Sequence, residues 1–324
     1  MIEVSNIQKT FKVARRDAGF SNAVKALFHK EYDLVKALDG ISFTIGDGEM
    51  VGYIGPNGAG KSSTIKVLSG ILTPDSGECR INGRVPWRER RQHVKEIGVV
   101  FGQRSQLWWD VPIIDSFELM RDIYEVPEPA YRRNLDELTE LLNLETILKT
   151  PARQLSLGQR MRCEIAASLL HDPKILFLDE PTIGLDAVSK LSVRSFIRRI
   201  NQEKKTTVIL TTHDMQDIEA IASRIILIGK GKILLDGTLD LLKKRHSDVK
   251  RIIVDYDGGE ISELEGIAVK EQLEGRVVLE ADTKRCSISE AISQISSQLS
   301  VTDLSVESDS IEDIVVSLYQ EYQI

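Results

Sequence analysis

Residues 55–63 read Gly55-Pro56-Asn57-Gly58-Ala59-Gly60-Lys61-Ser62-Ser63, a G-x-x-x-x-G-K-S spacing between an apolar run, Met50–Ile54, and a helical pattern. A strand, a glycine-rich turn and a helix start, in that order, form a cradle for phosphate. Gly55, Gly58 and Gly60 let backbone N–H groups approach phosphate oxygens with no Cβ in the way. Lys61 then reaches the terminal phosphates, and the Ser62 hydroxyl offers an oxygen ligand to Mg²⁺. A second apolar run, Ile175–Leu178, ends in Asp179-Glu180-Pro181. Strands buried on both faces read as continuous apolar stretches, and ligands collect at their carboxyl ends. There Asp179 suits Mg²⁺, and Glu180 is placed to polarise an attacking water. The pattern predicts a chain that binds a nucleoside triphosphate.

Other strand ends carry further polar groups. Thr207–Thr212 is β-branched and strand-like, and His213 follows it directly. Its imidazole can contact a γ-phosphate, or hold Glu180 or the water in place. Gln103 follows the apolar stretch that starts at Ile97. Between these strands, Leu155-Ser156-Leu157-Gly158-Gln159 precedes a helical pattern running from Met161 to Leu170. A helix N-terminus with Ser156 and Gly158 at it is a second anion-ready end, since free N–H groups and the positive dipole end coincide there. One chain thus offers two anion sites where a single nucleotide needs one.

The ordered set resembles the nucleotide-binding domain of ABC-type ATPases: Walker A at Gly55–Ser63, Q-loop at Gln103, signature at Leu155–Gln159, Walker B at Ile175–Asp179 with Glu180, D-loop at Ile183–Asp186, H-loop at His213. The resemblance covers roughly residues 1–240 and implies an α/β P-loop NTPase fold with a mixed sheet and a helical signature subdomain. It implies a dimer in which each ATP lies between the Walker A loop of one chain and Ser156, Gly158 and Gln159 of the other. It also implies that Ser62, Gln103 and Asp179 hold Mg²⁺, that Glu180 activates water with His213 holding it, and that Asp186 relays between the two sites. The family's signature is most often Leu-Ser-Gly-Gly-Gln, and Leu157 here replaces the first glycine. An aromatic near the N-terminus stacks on adenine in the family; Phe11 is the candidate, with Tyr32 second, and either could instead be core.

Residues 12–36 look like an insertion, carrying 6 Lys+Arg against 3 acids, with Phe20, Val24, Leu27 and Phe28 at helical spacing. That predicts a basic amphipathic helix, packed on its own domain or lying near anionic lipid. Trp108-Trp109 after Gln103 fit either a docking surface for a membrane subunit or core packing. Residues 248–324 carry 6 Lys+Arg against 17 Asp+Glu, a net of −11, which leaves +4 on the rest of a chain whose total is −7. The shift marks a boundary between residues 1–245 and a small acidic α+β appendage, 246–324, for regulation or dimerisation. An acidic C-terminal part argues against nucleic acid as a partner.

Three cysteines, far apart and odd in number, predict a reducing cytosol. No apolar stretch reaches bilayer-spanning length. The resemblance favours the energising subunit of a membrane transporter, an ABC-2-type exporter ATPase acting on a separate integral membrane permease. The chain would then sit peripherally on the cytoplasmic face, most simply as a homodimer. A soluble ABC ATPase acting on a non-membrane assembly is the alternative.

Overall fold

Two long strands open the chain: β1, Ile2–Ala14, pairs antiparallel with β2, Tyr32–Ile45, from Ile2↔Ile45 out to Ala14↔Tyr32. The sequence pattern places a strand only at Ile41–Ile45. Its earlier start corrects part of the expected helix over 12–36, because residues 12–14 and 32–36 are ladder. The helical pattern at Phe20, Val24, Leu27 and Phe28 lies outside the described residues. The computed structural model describes residues 1–14, 32–102, 104–245, 249–262, 264–308 and 311–322.

The elements that follow are β3, Met50–Ile54, α1, Lys61–Leu68, β4, Ser76–Ile81, α2, Arg90–Val94, and β5, Ile97–Phe101. A helical stretch comes next: α3, Ile113–Ile123, α4, Glu128–Leu142, and α5, Leu157–Leu169. Then β6, Ile175–Asp179, α6, Ala187–Lys204, β7, Thr207–Thr211, α7, Met215–Ile221, β8, Arg224–Gly229, and β9, Lys232–Thr238, complete the first part. Six strands form one sheet in the order β5-β6-β7-β3-β8-β9, and β2-β1-β4 form a second. From β5 to β8 every neighbouring pair is parallel. Burial on both faces explains why β7 reads as five consecutive buried residues. The two sheets share one core, in which Ile2, Ile41, Tyr53, Phe177 and Ile226 meet Ile65 and Leu68 of α1.

This parallel pairing brings the carboxyl ends of β6 and β7 side by side, with Asp179 opposite Thr211. The helix that starts after β3 packs against both β2 and β6. Every loop that carries a candidate residue of the phosphate site therefore leaves the sheet at one edge, as ligand-binding loops of open α/β sheets do.

The chain divides into two units, Met1–Asp236 and Gly237–Ile324. Helix α8, Leu239–Arg245, falls in the second unit, although the charge change sets the boundary after it, because it packs against the last helix, α10, Ile311–Glu321. The rest of this unit is β10, Val249–Gly259, β11, Ile267–Leu273, β12, Arg276–Asp282, α9, Ile288–Gln298, and β13, Leu299–Ser308. Its sheet is antiparallel in the order β11-β12-β10-β13. One face covers a core of Ile252, Val254, Val277, Leu279, Ala291 and Ile295. Among the described residues no helix is long and apolar enough to cross a membrane.

Candidate ATP site

The phosphate loop follows β3 and is pinned at its middle. Ala59 is buried, its N–H donates to Pro56 O at 3.1 Å, and its carbonyl accepts from Gly231 N at 3.0 Å. Asn57 and Gly58 are exposed on the rim, and Gly55 is buried. Gly60, the residue before α1, has φ 115°, and a Cβ there would lie 2.5 Å from Ala37 O. Among the described residues no side chain caps this helix end, so its first-turn N–H groups are left for a ligand. Lys61, 7% exposed, folds back and donates to Gly55 O at 2.7 Å and Pro56 O at 3.2 Å. Burial pulls its ammonium below the usual range, against the opposing pull of the Glu180 and Asp179 carboxylates.

Across from the loop stand the ends of β6 and β7. Ser62 Oγ donates to Asp179 Oδ1 at 3.3 Å, and Thr211 Oγ1 donates to the same oxygen at 2.5 Å. A hydroxyl and a carboxylate converging in this way are the hard oxygen donors that Mg²⁺ takes, so the residues fit that ion. Gln103, the third expected ligand, lies outside the described residues. Glu180 occupies the left-handed region at φ 57°, and its N–H donates to Thr211 O at 3.0 Å. For a residue other than glycine such a backbone costs on the order of 1–3 kcal/mol and persists where its surroundings over-determine it. The turn aims the carboxylate at His213, whose Nδ1 lies 2.8 Å from Glu180 Oε2. Ser62, Lys66, Phe101, Gly102, Asp179 and Glu180 line one cleft together.

The signature residues build a different helix end. Ser156 caps α5: Gln159 N donates to Ser156 Oγ at 3.2 Å, and Ser156 N donates to Gln159 Oε1 at 2.9 Å. This reciprocal box explains why α5 begins at Leu157 rather than at Met161, where the apolar pattern starts. Gly158 lies against α6, where a Cβ would come 2.4 Å from Ser189 Oγ. Asp186 caps α6 by accepting from Ser189 N and Ser189 Oγ, each at 2.9 Å. The hydrogen bonds from Ser189 hold its carboxyl below the usual range. Ser156 and Gly158 are not among the residues that line the cleft of Ser62 and Asp179.

The aromatic candidates are surface residues. Phe11 is 37% exposed opposite Val35, with Lys9 Nζ 5.9 Å from its ring centroid, and Tyr32 is also exposed. Trp108 and Trp109 are 57% and 52% exposed, so neither is core. The segment leading to them is tied to α5 by the buried Glu164, which accepts from Ser105 Oγ and from Gln106 N at 3.1 Å. Burial pushes that carboxyl up, against the pull of its donors. Thr211 and Glu164 have no role in the sequence reading. Thr211 sits inside an ordinary strand pattern, and the partners of Glu164 are some sixty residues distant.

A phosphate cradle, a convergent hydroxyl and carboxylate, and a carboxylate–imidazole pair at the edge of a parallel sheet define a P-loop ATPase. Residues 38–183 match the family model described as ABC transporter. The chain is 34% identical over 256 residues to methionine import ATP-binding protein MetN 2 of Enterococcus faecalis, covering 78% of this chain and 74% of that one. It is 34% identical over 232 residues to daunorubicin resistance ATP-binding protein DrrA3 of Streptomyces coeruleorubidus, covering 72% and 73%. The dimeric ATP-binding cassette MJ0796 in its post-hydrolysis state with ADP and Pi superposes with TM-score 0.61 at 25% identity, over 74% of this chain and 99% of that one. The chain belongs to the ATP-binding subunits of ABC transporters, and it is an ATPase.

Proposed function

We propose that two copies of this chain energise an ABC-2-type exporter by closing over two ATP molecules and reopening after hydrolysis. The phosphate loop binds ATP, with Lys61 leaving the Gly55 and Pro56 carbonyls for the phosphates. Ser62, Asp179 and Gln103 would hold Mg²⁺, which supplies charge neutralisation on the phosphates. Ser156, Gly158 and Gln159 of the second copy cover the γ-phosphate, and Asp186 lies at the seam. Glu180 takes a proton from the attacking water, and His213 keeps its carboxylate aimed. Phe11 stacks on adenine. Residues 246–324 serve regulation or dimerisation.

The observation that carries hydrolysis is the 2.8 Å contact of Glu180 with His213 beside the Ser62–Asp179 pair. Coupling to a separate permease is supported by the exposed Trp108 and Trp109, tied through Glu164 to the signature helix. Such a loop can pass movement of α5 to a membrane helix seated on the tryptophans. The likeness to a drug-resistance ATP-binding protein speaks for export, against an equal likeness to a methionine import protein, and attachment through the permease would place the chain on the cytoplasmic face of the membrane. The test is to extract Glu180→Gln from native membranes in mild detergent with ATP and identify what co-purifies by mass spectrometry. A polytopic membrane protein is expected. Ribosomes or a soluble assembly in its place would keep the ATPase and discard the transport reading.

A further inference from the structure

Close to the Glu180–His213 pair lies a carboxylate that the chemistry above does not use. Asp217, on α7, is 0% exposed. Its Oδ1 accepts from Arg194 Nε on α6 at 2.6 Å. Its Oδ2 accepts from the Thr182 hydroxyl and, at 3.1 Å, from the Thr212 hydroxyl. Thr182 stands two residues after Glu180, and Thr212 one residue before His213. A single buried side chain therefore grips both loops whose tips form the catalytic pair. Asp214 extends the grip: its N–H donates to Thr212 Oγ1 at 3.0 Å, and its Oδ2 accepts from Lys190 Nζ at 2.6 Å.

A carboxylate without water must have its lone pairs met by donors, so the three groups around Asp217 have little freedom to move away. Glu180 gains from such restraint, because its left-handed backbone is held by Thr211 on one side and by a long 3.3 Å bond from Ile183 N to its carbonyl on the other. His213 does too, since its side chain is 63% exposed and gains little fixing from packing. The ion pair of Arg194 and Asp217 alone would join α6 to α7. The two threonine hydroxyls add nothing to that joint; what they add is the placement of the loops.

We propose that Asp217 is a positioning residue for ATP hydrolysis, setting the approach of Glu180 to His213 through Thr182 and Thr212. The proposal rests on Glu180 being the general base. A misplacement of about 1 Å at a reacting centre costs on the order of 100-fold in rate. The hydroxyls are separable from the ion pair: Thr182→Val with Thr212→Val removes them and leaves Arg194 on Asp217. In the full chain we expect this pair to bind ATP within about twofold of wild type, while the single-turnover rate falls tenfold or more. Thr182→Ser with Thr212→Ser keeps the hydroxyls and should restore most of the rate. Thr212→Val alone, with a smaller fall in rate, serves if the double variant does not fold. The proposal is overturned if a folded valine variant hydrolyses at the wild-type rate, if its ATP affinity falls as much as its rate, or if the serine pair is equally slow. Glu180→Gln is measured in parallel: wild-type hydrolysis there would instead remove the reading of Glu180 on which the proposal rests.

Discussion

Two helices of this chain begin with free N–H groups near a glycine, and they are finished in opposite ways. Helix α1 starts after Gly60 with no side-chain cap, and its lysine is parked on the carbonyls of its own loop. Helix α5 starts after Ser156 with a complete capping box, in which Ser156 and Gln159 serve each other's backbone. The first end has donors to offer and a cation that must move to use them. The second has its Ser156 and Gln159 N–H groups met by the box, so it keeps its shape, and the box leaves the N–H groups of Leu157 and Gly158 to meet phosphate as a preformed surface. Under the proposed function, the contrast fits binding at α1 and completion of the site by α5. On that reading one chain carries both ends without binding two nucleotides.

Substitutions can break this division of labour. The largest effect belongs to the chemistry beside α1: Glu180→Gln should bind ATP normally and lose roughly 1,000-fold in turnover, within the range for general bases. Turnover near wild type in a phosphate-release assay would contradict that role. Lys61→Ala should weaken ATP binding about 100-fold, the scale of lost charge-assisted hydrogen bonds, read by equilibrium titration. Ser156→Ala sharpens the comparison, because it should leave ATP binding to the single chain unchanged and still slow hydrolysis about tenfold. Its lost cap should also cost about 1 kcal/mol of stability in urea titration. If Ser156→Ala and Lys61→Ala reduce binding alike, the two ends are not distinct in function.

A smaller effect concerns stability alone, next to the signature helix. His171 donates from Nε2 to Ile97 O at 2.9 Å, is stacked on Tyr124 with centroids 3.9 Å apart, and has a buried Nδ1 without a partner among the described residues. Burial pushes its imidazole down to about 4. The unfolded chain binds this proton near the ordinary value and the folded chain does not. The neutral imidazole therefore supports the fold fully above pH 6.5, and that support is lost as the pH falls towards 4. The loss is about 3 kcal/mol at most. His171→Phe keeps the stack and should flatten the decline of the urea midpoint between pH 7 and pH 4.5. An unchanged slope would place the acid sensitivity elsewhere.

What the sequence made legible was whatever depends on local pattern. The strand at Ile175–Asp179 reads as a strand because burial on both faces demands an unbroken apolar run, and the glycine spacing of 55–60 describes a loop on its own. Strands that face solvent were hidden. The outer part of β2, Tyr32 to Lys36, is exposed throughout, and all of β11 beyond Ile267 is exposed, so neither leaves an alternating pattern to find. In the site, Glu180, His213 and Asp179 could be placed because they end apolar strands. Asp217, Thr182 and Thr212 could not, since their partnership exists only once β6 and β7 lie side by side. Leu157, which departs from the family's glycine, is also explained only in three dimensions: it is partly exposed beside Gly184, where a Cβ would lie 3.0 Å from Leu157 Cδ2.

In the proposed function the open end of α1 and the finished end of α5 complete a site only between two chains. Sedimentation velocity of Glu180→Gln, with and without Mg-ATP, reads this out. A monomer that becomes a dimer when ATP is added is expected, and it stays a monomer with ATP if Ser156→Glu is combined with it. A protein that binds ATP and remains monomeric, or a dimer indifferent to both ATP and the Ser156 change, would rule out a site shared between two chains.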